Sequence, residues 1–145
     1  PVALLSRALP SFGGLPAPPL APFRAVRDLW RHRLDLAETG GLTVPMDAIH
    51  DGRIIALLAR SRAGAADRAL GDRSVDLKVE DHVHVPGVLR FGTASAPNAS
   101  VAVEAMALAR LLLAWRSPAA TRERSRIDGD VKAAMTLLAA LHGAV

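Results

Sequence analysis

The sharpest local chemistry in the chain is His82-Val83-His84. On a β-strand the side chains at i and i+2 point to the same side, so two imidazoles there can grip one metal ion. A catalytic zinc needs a third protein ligand. His50, Glu80 and Asp76 are available, and no second motif chooses among them. The competing reading of His82 and His84 is a solvated strand face of alternating charge. Asp128-Gly129-Asp130 resembles the start of a calcium loop, but Lys132 and Ala134 stand where further oxygen ligands are required, so that reading is rejected. Glu104 stands in a segment that is otherwise apolar almost all round. A buried carboxylate has a raised pKa and can act as an acid or base. Pairing with a buried arginine is the commoner fate, and Arg33 is the candidate partner. No Ser or Thr sits in a nucleophile-elbow context, and no glycine-rich loop has phosphate-cradle spacing. The sequence therefore assigns no catalytic residue and implies no cofactor; an enzyme is possible but nothing argues for one.

Arginine is the second chemistry-bearing residue type. Between Arg24 and Arg33 four arginines face a single Asp28, and between Arg116 and Arg126 four face a single Glu123. Two local basic patches argue for phosphate contacts better than a global charge does. Arg24, Arg27 and Arg31 form the first candidate nucleic-acid contact. Arg122, Arg124 and Arg126 form the second, and they align only on an extended strand. Aromatic residues for base stacking are few, and no helix-turn-helix spacing is evident. The bland reading is again a solvated face.

The chain has 145 residues, a formal charge of +4, no cysteine, half its residues apolar and 3% aromatic. The length fits one domain with a modest core. The apolar fraction excludes a fully disordered chain. Without cysteine there is no disulfide framework, thiolate metal site or thiol nucleophile. No run approaches 18 uncharged apolar residues, so no membrane span is expected. The lack of cysteine and of a convincing signal segment fits the cytoplasm. Lys78 and Lys132 are the only lysines, which reads as a GC-rich coding bias swapping Lys for Arg.

The elements follow from periodicity. Residues 1–22 carry six prolines along with Leu15, Leu20 and Phe12, which predicts an extended apolar arm that must lie on something. The remaining residues, 23–145, form a single domain. Pro22 to Ala37 reads as a helix with Phe23, Val26, Leu29, Trp30, Leu34, Leu36 and Ala37 on one broad face. Arg33 falls within that face, which points to pairing with a carboxylate, with a turn of the helix there or a partner-binding arginine as the alternatives. Residues 42–52 are open between strand, hairpin and helix, with Asp51 as a possible helix cap. Gly52 to Arg62 is helical with a stop near Gly64, and Ala65 to Leu70 is open to a further helical turn. Val75 to Val85 alternates as a strand, with Asp81 as a bulge, and Val88 to Phe91 returns as the second strand of a hairpin. Ser100 to Arg116 reads as a buried helix whose Ala102, Ala105 and Ala109 form a ridge for close helix approach. Asp130 caps a last helix, Val131 to His142.

The fold expected is α+β, predominantly α: four or so helices with a small β-hairpin, preceded by the arm. The function expected is a non-enzymatic assembly or protein-interaction component, binding itself or another protein through the arm and the Ala-ridged helix. A nucleic-acid-associated protein and a metal-dependent enzyme with a His-x-His pair are the alternatives.

Overall fold

Apolar residues at Val75 and Leu77 alternate with polar Asp76 and Lys78, and this period of two builds the first strand of a four-stranded sheet. The computed structural model describes residues 20–43, 45–85 and 87–142, with side chains from Arg24 onward. Phe12 and Leu15, and the arm they belong to, lie outside the described residues. In chain order the elements are α1 (Leu20–Thr39), α2 (His50–Ser61), α3 (Ala63–Leu70), β1 (Ser74–Val79), β2 (Leu89–Gly92), β3 (Ala99–Val103), α4 (Ala105–Leu112), α5 (Pro118–Arg122), β4 (Ser125–Gly129) and α6 (Val131–Leu141). The class is α+β and mostly helical, as the sequence leads one to expect. Leu20 and Pro22 begin α1 and do not belong to the arm.

The sheet order is β2-β1-β3-β4. The two central strands are parallel, with Val75 opposite Ala99 and Leu77 opposite Val101; β2 and β4 flank them antiparallel. One face carries Val75, Leu77, Leu89, Phe91, Val101 and Val103, all buried. Helix α6 packs on β1, β3 and β4, and α3 packs on β2 and α6. The other face carries Lys78, Arg90, Arg126 and Asp128, all exposed.

Three expectations are corrected here. First, the helix expected over Ser100 to Arg116 is a strand followed by a helix. Val101 and Val103 are β-branched and pair with β1, and an apolar run buried on both sides looks the same as a buried helix by periodicity. Second, the strand expected over Val75 to Val85 ends at Val79. Asp81 is not a bulge: its carboxylate accepts from the backbone N–H of Val83 at 2.8 Å and from that of Ala105 at 2.7 Å, turning the chain and capping α4. Third, Gly64 does not stop a helix. The break falls at Arg62, and Gly64 lies inside α3.

The helix ends follow local chemistry. Asp130 accepts from Lys132 and Ala133 at the start of α6, and Ser117 accepts from Ala120 ahead of Pro118 at the start of α5. The open region before α2 resolves as helix entry. Asp47, rather than Asp51, accepts from the Ile49 and His50 N–H groups there.

Gly52 lets α2 lie directly on the backbone of residues 83–84. A Cβ at that position would overlap the His84 carbonyl, while the His84 N–H donates to Ala48 O at 2.6 Å. Gly→Ala in a helix interior ordinarily stabilises by about 0.5–1 kcal/mol. Gly52→Ala is expected to reverse that sign and destabilise by about 1–3 kcal/mol through overpacking. Urea unfolding measures it, and a more stable variant would contradict the packing.

Candidate functional site

The residues singled out in the sequence do not converge on one chemical centre. His82 and His84 lie beyond the end of β1, so the strand geometry that would place them side by side is absent. The His82 ring contacts Met46 O at 3.0 Å through Nε2. It stitches this segment to the entry of α2, as the His84 backbone does. The two histidines line a cleft of about 330 Å³ with Lys78 and Asp81. Among the described residues no group of three or more His, Asp or Glu side chains is placed to hold a metal ion.

Glu104 is exposed and sits between β3 and α4, so it is neither a buried acid nor the partner of Arg33. Ala102 lies on β3 and Ala105 and Ala109 on α4, so they form no continuous ridge. All three are buried: Ala105 and Ala109 in the domain's core, and Ala102 on the opposite face of the sheet between Lys78 and Arg126. Arg122 ends α5, Arg124 follows in a turn, and Arg126 lies on β4. The alignment that a single strand would have given them is therefore missing. Arg126 pairs with Glu80 and reaches Asp128 at 3.7 Å. In the first patch Arg27 pairs with Asp28 at 2.8 Å and Arg31 with Asp35 at 3.8 Å.

Arg33 does have the carboxylate its position demands, and that carboxylate is Asp51. The Asp51 side chain is 1% exposed. Its Oδ1 accepts from Trp30 Nε1 at 2.8 Å and from Arg33 at 2.9 Å. Its Oδ2 accepts from the Asp47 N–H at 2.7 Å and again from Arg33 at 3.3 Å. The same guanidinium donates to Pro45 O at 2.9 Å. A buried carboxylate with charge-assisted donors on both oxygens is stable where an isolated one would not be. One carboxylate thus joins α1, the 45–49 turn and α2. The sequence signal for it was Arg33 on an apolar face; nothing in the spacing selected Asp51 over other acids.

This clamp fixes which side of α1 faces inward. Trp30, Leu34 and Ala37 are buried, whereas Val26, Leu29 and Leu36 are 43%, 71% and 73% exposed. The broad apolar face read from the sequence is therefore two faces, and only one is covered. A second set of contacts secures the C-terminal half of α1. Arg110 reaches Glu38 at 3.4 Å, and the Arg31 guanidinium lies 5.8 Å from the centre of the Trp115 ring. Between α1 and α4 remains a cleft of about 260 Å³ lined by Leu34, Ala37, Leu42, Met106 and Trp115. On the outward side of α1, Leu29 and Leu36 are thus left exposed. This is the candidate site, and its chemistry is that of a contact surface.

No family model, characterised protein or solved structure matches the chain.

Asp51→Ala strands Arg33, the Trp30 N–H and the Asp47 N–H together. The expected cost is about 3 kcal/mol, at the lower end for a broken buried pair because Arg33 can still reach water. Chemical unfolding followed by tryptophan fluorescence reads both the loss and the change at Trp30; an unchanged midpoint would contradict the clamp. A separate effect appears in acid. Backbone N–H donors from His50 and Ile49 hold the Asp47 carboxyl below its ordinary pKa, and the hydrogen-bonded Arg90 guanidinium does the same for Asp76. A lowered folded-state pKa gives stability that is complete above the unfolded value of about 3.9 and is lost as pH falls through the lower folded values. Melting temperature should therefore fall below about pH 4, and Asp76→Asn should flatten that fall.

Proposed function

We propose that this protein is a non-enzymatic assembly or protein-interaction component that works as an oligomer. The observation that carries the reading is the outward side of α1, where Leu29 and Leu36 stand in solvent on a helix whose other side is already packed. Isolated exposed apolar residues are ordinary, but two leucines left bare on the same side of one long helix support a contact site. The buried alanines 102, 105 and 109 drop out of the reading, and α1 takes their place. The arm, with Phe12 and Leu15, remains part of the proposed contact region because its apolar residues need cover. Among the described residues no helix is long and apolar enough to cross a membrane. We place the protein in the cytoplasm on its cysteine-free composition.

A second reading, association with nucleic acid, draws on Arg24, Arg122 and Arg124, which are exposed. It would be led by charge and would weaken steeply with salt. The mutual neutralisation of Arg27, Arg31 and Arg126 by nearby carboxylates makes it the weaker of the two.

Sedimentation velocity over a range of protein concentrations tests the first reading. A species larger than the 145-residue chain is expected. A strict monomer that captures no partner, with its size unchanged by deleting residues 1–19, would overturn it. The same samples titrated with DNA or RNA at low and high salt test the second; no salt-dependent affinity would remove it.

A further inference from the structure

We infer that the open edge of β4 pairs with β4 of a second copy of this chain, antiparallel and about a two-fold axis, so that the two sheets run on as one. The inference extends the assembly reading to a surface that reading does not use, and it stands or falls apart from α1.

The sheet order β2-β1-β3-β4 leaves β2 and β4 as its outer strands. The outer side of β2 is already engaged: Asp67 of α3, which packs along that strand, accepts from the Gly92 N–H at 2.6 Å. On β4 the ladder itself shows which groups face out. Facing residues of an antiparallel pair alternate between bonded and open positions. The Asp130 N–H donates to Asn98 O at 2.9 Å, so the register of β3 with β4 turns the backbone groups of residues 126 and 128 towards β3. Those of Ser125, Ile127 and Gly129 turn outward, to a side where no described strand lies. Such unpaired groups are a template for another strand. Beside them a cleft of about 560 Å³ has Ile127, Val131 and Met135 in its wall.

The strand selects its occupant. Ser125-Arg126-Ile127-Asp128-Gly129 reads small, basic, apolar, acidic, small, and is the antiparallel complement of itself. With Ile127 on the two-fold axis, Ser125 faces the partner's Gly129, and each outward backbone group meets an outward group. Arg126 then stands directly across from the partner's Asp128, on the sheet face away from the helices. The two side chains are 65% and 71% exposed. Within the chain Arg126 holds Glu80 through one terminal nitrogen, and its Nε lies 3.7 Å from Asp128, beyond hydrogen-bond reach. The guanidinium therefore keeps donors for a carboxylate across the strand pair.

Register and direction follow. A slip of two residues sets Arg126 against the partner's Arg126, or Asp128 against the partner's Asp128. A parallel pair in register also sets like charges side by side. Like charges directly opposite one another are destabilising. The same two charges turn away a strand that does not carry the pattern. On the other face Ile127 meets the partner's Ile127 on the side of Val131 and Met135, which buries apolar surface at the axis. The contact is isologous and closes at two copies.

Charge exchange reads the pairing. Arg126→Asp and Asp128→Arg proteins each set like charges opposite one another in a homodimer. Each should associate at least about tenfold more weakly than the unaltered chain in sedimentation equilibrium. An equal mixture of the two restores opposite charges at both positions and should recover the dimer. Ile127→Pro removes the central outward N–H without removing a bond to β3, and should also weaken association. Circular dichroism and the thermal midpoint check that each variant is folded. Dimers that survive in both charge variants would overturn the inference and leave the assembly reading standing on α1. Weakened variants that fail to recover on mixing would overturn it as well. A monomer of the unaltered chain at every concentration would overturn the inference, and capture of a partner would then decide the assembly reading separately.

Discussion

The placement of α1 depends on one buried carboxylate. Asp51 takes donors from Trp30 and Arg33 on α1 and from the backbone of residue 47, while belonging itself to α2. Charge burial makes the arrangement close to all-or-none: with every lone pair occupied the carboxylate is tolerated, and with one donor removed the site holds an uncompensated polar group. Because α1 is a long helix attached along one side, this clamp also decides which side is left open. The apolar surface left open on α1 is thus a consequence of where a negative charge is hidden.

The second constraint is the parallel pairing of β1 with β3. Parallel neighbours need a crossover, and here β2 lies on the outer edge while residues 93–98 carry the chain back past the start of β1. Asn98 aligns the two strand starts: its side chain accepts from the Ser74 N–H, and its backbone exchanges hydrogen bonds with Ser74 O and the Asp130 N–H. Asp67 on α3 performs a similar task for Gly92, where the backbone has a φ of +93° and a side chain would collide with the carbonyl of Arg73. Short polar side chains therefore fix the sheet against the helices, and the apolar layer of α6 fills the space between.

Much of the outline was legible in the sequence. Asp130 announced its helix because capping is a local event. The antiparallel pairing of β1 with β2 was visible in alternation, although the alternation ran six residues past the true end of β1. Arg33 announced that it needed a partner because a charge on an apolar face always does. What the sequence left hidden was long-range. Val101 and Val103 belong to a central strand, which local periodicity does not distinguish from a buried helix. Asp81 interrupts an alternation, and only its contact with Ala105 in space reveals it as a cap rather than a bulge. His82 and His84 looked like paired ligands on the assumption of a strand that stops three residues earlier.

The sequence by itself determined the predominance of helix over strand, the absence of thiol chemistry and the cap at Asp130. Each of these is a property of composition or of neighbours within a few positions. Tertiary structure alone decided which carboxylate neutralises Arg33, which alanines are core, and which half of the apolar face of α1 is left in water. Those outcomes depend on groups separated by 18 or more residues, such as Arg33 and Asp51, whose meeting is fixed by the packing of whole elements. Spacing along the chain carries no record of that packing.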